Sequence, residues 1–346
     1  MKKRLAVFTV MHFAVDFATI FRMIATVLPQ APGGNDWLVL MIVYNFCAFA
    51  LPAFLGLLSD VLDSDFLVAG TGCLLAGLSR FAWSAPLAVT RRAGVGNGLF
   101  HVGAGRRVLT FAEGRYADSG IFICSGAFGV FLGTSFGRTM VMPFDWILTA
   151  AMFAAAAVLF AFRIKEGRTV RKEEQAEGPV QNRVKLFTLP VFLLLAVVVL
   201  RSYYGTAVKY SWNNTFAMGL FFTVCIAAGK ALGGIAADKI GVRAASVISL
   251  GGAAVTVLFS ARIPAFGFLS ILLFNRTMPL TLALLTAKWK NLPGFAFGIL
   301  MLALFIGIIP ALLVTGGVSL PVYGLCILSL VSLGLLLAAE GKRDVQ

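Results

Sequence analysis

Twelve apolar runs, most of them about as long as a bilayer is thick, follow one another along this chain of 346 residues. They cover 4–29, 37–58, 66–83, 87–110, 117–137, 142–162, 186–208, 215–236, 244–260, 266–287, 294–316 and 319–339, the third and ninth being short. A hydrocarbon core of about 30 Å takes roughly 20 helical residues to cross. Charged residues make up 13% of the chain, about half of the roughly 25% usual in soluble domains. No gap is long enough for a soluble domain. The expected fold is therefore an all-α membrane protein with twelve transmembrane helices.

One gap stands out. Residues 163–185 mix acids and bases around Gly178-Pro179 and read as a solvated linker. The linker divides the spans into an N-terminal six-helix unit, 1–162, and a C-terminal one, 186–346. A short phrase marks the same division: Gly56-Leu57-Leu58-Ser59-Asp60 and Gly234-Ile235-Ala236-Ala237-Asp238 each close an apolar run, 178 positions apart. Internal repetition at half the chain length predicts two related bundles, and paired halves with a site at the midplane are how many secondary transporters are built.

The basic residues divide unevenly between the two sides. With a cytoplasmic N-terminus, Lys2, Lys3, Arg4, Arg106, Arg107, Arg115, the bases of 163–185, Lys239, Arg243, Lys288, Lys290, Lys342 and Arg343 fall inside. Only Arg80, Arg91, Arg92, Arg138, Lys209 and Arg262 fall at external ends. This is the positive-inside pattern, and it predicts an integral multi-pass protein of the cell membrane with both termini cytoplasmic. The net charge of +14 then reflects topology, and no nucleic-acid partner is expected. The basic start followed by an apolar run resembles a signal peptide, but it lacks a small-residue cleavage site and reads as an uncleaved first span. The five cysteines sit singly inside spans, without metal or disulfide spacing.

An ionisable group inside a span costs about 2.5–3.5 kcal/mol on insertion scales, so each needs a reason. His12 and Asp16 lie four apart on one helical face. They read as a proton-coupling pair facing a central cavity or as a buried structural hydrogen bond. His101, the other histidine, lies in a Gly-rich fourth span and joins the proton-coupling candidates. Two histidines and an Asp suggest a metal, but no close ligand spacing supports one, so no metal or other cofactor is expected. Arg22, Arg201, Lys230 and Arg276 are cations inside spans against one clearly intramembrane acid, Asp16. An anionic substrate, such as a phosphonate, phosphate ester or carboxylate, is the natural counterion. Substrate-binding candidates are therefore Arg22, Arg201 and Arg276, with Asn275, Tyr44, Asn45 and Tyr204 as polar lining; Lys230 reads as a cation able to snorkel.

The second copy of the repeated phrase continues Lys239-Ile240-Gly241-Val242-Arg243, and here the sequence resembles the major facilitator superfamily. The match is complete at 234–243; at 56–65 it is degenerate, because Val61-Leu62-Asp63-Ser64-Asp65 supplies acid where the family has base. The resemblance implies a conformational latch built from Gly56, Asp60, Gly234, Asp238, Lys239, Gly241 and Arg243. Three further motifs are similar to the fosmidomycin-resistance exporters: His12-Phe13-x-x-Asp16 with Leu28-Pro29, the fourth span ending Phe100-His101, and Pro293-Gly294-Phe295-Ala296-Phe297-Gly298. Val102 and Arg106-Arg107 depart from that branch. Arg92-Ala93-Gly94-Val95-Gly96-Asn97-Gly98 resembles the Arg-x-x-x-Gly-x-Gly fourth-span pattern of drug/proton antiporters, which would give Arg92 a part in proton transfer; the other reading is an interfacial arginine pointing outward.

The reading that results is a monomeric secondary transporter, not an enzyme, exporting a small anionic or amphipathic compound against protons. Its rivals are a uniporter or importer, an intramembrane enzyme, and a transport-inactive receptor. An intramembrane enzyme would need a nucleophile–base or metal cluster near one membrane face.

Overall fold

The computed structural model describes residues 2–31, 33–139, 143–170, 187–314 and 317–340. Among them are twelve helical rods: α1 Lys3–Gln30, α2 Asn35–Leu62, α3 Asp65–Ala82, α4 Pro86–Ala112, α5 Tyr116–Gly137, α6 Pro143–Val170, α7 Leu189–Ala207, α8 Phe216–Ile240, α9 Val242–Val257, α10 Pro264–Lys288, α11 Pro293–Leu313 and α12 Val322–Glu340. Ten are long and apolar enough to cross a membrane. The exceptions are α4, whose apolar character is diluted by two arginine pairs, five glycines, Asn97 and His101, and α9, which is short.

Proline and glycine shape the rods. Pro52 lacks the N–H that would close a regular turn, and the α2 turn before it opens into a π-helical stretch at Phe46–Ala50. In α10 the regular helix stops at Asn275 and restarts at Thr277, two residues before Pro279. Helix α6 runs on to Val170, so the first part of the expected linker is helix; its remainder, 171–185, lies outside the described residues.

The packing repeats with the half-length period. α2 crosses α11, and α5 crosses α8; moving six helices along the chain exchanges the two pairs. Both crossings depend on missing side chains. A methyl on Gly56 would strike the Gly294 carbonyl of α11, and one on Gly234 would strike the Tyr116 carbonyl of α5. Around α4, a methyl on Gly96 would lie 2.6 Å from the Ala76 nitrogen of α3, and one on Gly94 2.7 Å from Cys47 Cβ of α2. The glycine run thus draws α4 inward, carrying Asn97 and His101 against α1.

Candidate functional site

Three buried ionisable groups meet where α1, α4 and α5 touch. His12 and Asp16 come from one face of α1; Asn97 and His101, also four apart, come from α4. His12 Nδ1 lies 2.8 Å from the Phe122 carbonyl oxygen of α5, and His101 Nδ1 lies 2.8 Å from the Asn97 carbonyl oxygen. The two Nε2 atoms are 2.9 Å apart, with the rings perpendicular. Asp16 Oδ2 lies 3.3 Å from His12 Nε2, and Asp16 Oδ1 lies 3.6 Å from His101 Nε2. Asn97 Nδ2 donates to Asp16 Oδ1 at 2.8 Å and to Thr19 Oγ1 at 3.2 Å, and Tyr44 donates to Thr19 at 3.0 Å. Asn97 is not among the candidates above; the signal for it in the sequence is its place one helical turn before His101.

Ligand atoms of His12, Asp16 and His101 lie within 4.8 Å of one another, a cluster that spacing along the chain does not reveal. A zinc ion holding two nitrogens tetrahedrally at about 2.0–2.1 Å would separate them by roughly 3.3 Å. The observed Nε2–Nε2 distance of 2.9 Å is a hydrogen-bond length and suits a proton better.

The three groups form part of the wall of a cavity of about 720 Å³, which Arg201, Lys230 and Asn275 also line. Apolar side chains including Phe131, Ile226, Phe297 and Met301 make up much of the rest, and Thr134, Ser135 and Arg138 line it toward the C-terminal end of α5. Arg201 is buried; its Nη1 donates to Thr281 Oγ1 at 3.0 Å, while Nη2 has no partner among the described residues. Lys230 Nζ donates to the Ile123 carbonyl at 3.3 Å. Lys230 therefore belongs to the cavity instead of snorkelling outward.

Several expected substrate contacts are employed elsewhere. Arg22 is fully buried, but it faces Asp145 of α6 at 2.8 Å, with Thr149 at 2.7 Å, Ser79 at 3.1 Å and the Ala76 carbonyl completing its bonds. Arg80 shares Asp145 at 2.9 Å. Asp145 is itself buried, so Arg22 needs no substrate. Tyr44 is spent on Thr19, and Asn45 donates to the Met41 carbonyl. Tyr204 stacks on Phe274 at 3.7 Å between centroids, with its hydroxyl 3.3 Å from Ser270. Arg276 sits at the break in α10 against Gly233 and is not part of the cavity lining; Asn275 is, although its Nδ2 donates to the Ile271 carbonyl. Arg92 is exposed and lies nine residues from His101, about 13 Å along the helix axis, so it does not join the histidine cluster.

The repeated Asp residues end on helix N-termini across the chain halves. Asp60 accepts from the Gly294 and Phe295 N–H groups of α11 at 2.9 and 2.8 Å. Asp238 accepts from Tyr116 and Ala117 of α5, both at 2.9 Å. The acceptors and donors obey one register: 60 and 238, 116 and 294, 117 and 295 each differ by 178. A carboxylate is favoured there by free N–H groups and the helix dipole. Asp60 also meets Arg106 of α4 at 2.9 Å, and Arg106 reaches Asp63 and Asp65, both at 2.6 Å. The acids that break the motif at 56–65 are thus matched by the arginine that breaks the fourth-span pattern. Gly241, at φ 79°, ends α8 where a side chain would be strained. Lys239 and Arg243 are exposed and hold no ion pair among the described residues.

No known family profile and no curated protein matches the chain. Solved structures do. FucP, a major facilitator transporter captured in the outward conformation, aligns with a TM-score of 0.57 at 14% identity, over 97% of both chains. A point variant of the E. coli fucose:proton symporter FucP aligns at 0.59, with 12% identity and 97% of both chains covered. The human organic anion transporter MFSD10 aligns at 0.67, with 15% identity, over 96% of this chain and 99% of its own. These similar proteins are transporters, not enzymes. The all-helical chain shares its fold with these major facilitator transporters.

Proposed function

We propose that the protein is a proton-coupled secondary transporter of a small amphipathic organic anion, built as two six-helix bundles of twelve transmembrane spans. The observation that carries this reading is the cavity: a histidine–carboxylate cluster lies on its wall together with an arginine whose Nη2 has no partner among the described residues. A buried guanidinium without a carboxylate is costly, and an anion entering the cavity would relieve that cost with directional hydrogen bonds. The apolar remainder of the lining suits a ligand with a hydrocarbon body. Similarity to an organic anion transporter and to a proton symporter supports the same pairing of cargo and coupling ion.

The two Asp-to-helix contacts act as the latch. They join the chain halves at one end of α5 and α11, while the cavity reaches the other end of α5 near Arg138. With the latch end cytoplasmic, as the basic residues imply, this is an outward-facing conformation. Export against protons is the proposed direction, following the exporter motifs. The test is a melting-temperature panel at fixed ligand concentration, since ligands that bind only the folded state raise it. Organic anions should stabilise the wild type and Arg201→Lys less so, because an ammonium reproduces guanidinium geometry poorly. A cationic dye that stabilises both equally, with no anion effect, would replace this reading.

A further inference from the structure

The chain has two histidines, and their ring nitrogens are fully accounted for. Each Nδ1 lies 2.8 Å from a backbone carbonyl, Phe122 for His12 and Asn97 for His101. A carbonyl oxygen only accepts, so each Nδ1 must carry a hydrogen. In a neutral ring that leaves Nε2 bare. The two Nε2 atoms face each other at 2.9 Å, and three occupancies of the gap can be weighed.

With no proton, two lone pairs point at each other beside the Asp16 carboxylate, an arrangement with nothing to hold it. With two protons, N–H bonds of about 1.0 Å would bring two hydrogens to roughly 1 Å of each other and set two cations side by side. With one proton, the gap is an N–H···N hydrogen bond of ordinary length. A proton on Asp16 instead would leave the lone pairs still opposed, and Asn97 Nδ2 already donates to Asp16 Oδ1.

We propose that His12 and His101 hold a single proton between their Nε2 atoms, with Asp16 as its counterion, so that the cluster binds one proton as a unit. The surroundings fit this assignment. Thr19 and Asp16 come from α1, Asn97 from α4, and the Phe122 carbonyl and Gly126 from α5. Among the described residues, the other charged groups lining the shared cavity are Lys230 of α8, Arg201 of α7 and Arg138 after α5. A net positive trio would repel these cations, whereas the one-proton trio is neutral. Gly126 leaves the cluster its space: a methyl there would lie 2.5 Å from Asp16 Oδ2 and 2.6 Å from His12 Nε2. The use of this proton in transport rests on the function proposed above; its presence does not.

The experiment is ¹⁵N magic-angle-spinning NMR at pH 7 on full-length protein labelled at histidine, without a histidine tag, in lipid. With two histidines in the chain, the spectrum holds two imidazoles. The expected result is two protonated Nδ1 atoms and a pair of Nε2 atoms coupled to each other through one shared hydrogen. Two uncoupled neutral rings, or a ring pair carrying a proton on each Nε2, would overturn the proposal. So would added Zn²⁺ shifting both Nε2 signals at one ion per chain with no shared hydrogen present beforehand, which would make the gap a metal site. The wild-type spectrum decides without a variant, and His101→Gln, checked for folding by its melting transition, should abolish the coupling. A coupled pair in a protein whose transport ignores the pH gradient would keep this inference and remove proton coupling. An uncoupled pair in a protein that transports uphill would do the reverse.

Discussion

Arg22 and Arg201 occupy corresponding helices of the two chain halves, α1 and α7, and both are buried. Their surroundings are opposite. Arg22 is saturated by Asp145, Thr149, Ser79 and the Ala76 carbonyl. Among the described residues, Arg201 bonds to Thr281 and its Nη2 has no partner, in the cavity. Burying a charge is tolerable when a partner is supplied and costly when it is not. On the function proposed above, the comparison separates a structural arginine from one that a bound anion would satisfy, a distinction residue type alone does not make.

The largest effect should come from breaking the satisfied pair. Asp145→Asn leaves the buried Arg22 and Arg80 without their carboxylate, and removing one partner of a buried pair costs about 3–5 kcal/mol. The melting temperature of the purified protein should fall steeply. Arg201→Met removes a charge that has no carboxylate, so the ligand-free melting temperature should hold or rise. Equal losses in both variants would erase the distinction.

The proposed latches offer a second comparison of the halves. Asp60 receives two backbone N–H groups and Arg106, whereas Asp238 is exposed and receives backbone N–H groups alone. Hydrogen bonds to charged groups are worth about 1.5–3 kcal/mol, so Asp60→Asn should open the latch end more than Asp238→Asn does. A cysteine at the buried Ser59 reads this as a faster modification rate. The smallest effect belongs to Arg92→Ala. An exposed arginine away from the cluster should change stability by no more than about 0.5 kcal/mol and leave the pH dependence of transport unaltered.

Much of the architecture could be read from the chain before any coordinates. Twelve helical rods follow the apolar runs, ten of them long and apolar enough to cross a membrane, and the 178-residue period recurs in the Asp-to-helix contacts. His12, Asp16 and His101 meet because helical spacing had already placed His12 and Asp16 on one face and glycine had marked α4 for close packing. Long-range partners were not legible. Asp145 stands in the first turn of α6, 123 residues from Arg22, and nothing local links them. Tyr204 looked like a lining residue, but rotation of α7 turns it onto Phe274. Asp63 and Asp65 looked like a degraded motif until Arg106 arrived from another helix. Periodicity reveals a face; it does not reveal what that face meets.

The central claim is that one cavity holds a proton on the first half of the chain and an anion on the second, and that the two move together. It is tested most directly in proteoliposomes of known orientation with a pH-sensitive dye inside, using a panel of organic anions and cationic dyes. The account predicts that an anion gradient drives proton movement through the wild type, and that Asp16→Asn and Arg201→Lys each abolish it while the proteins remain folded. Proton movement driven equally by a cationic dye in all three proteins, with no response to any anion, would contradict it.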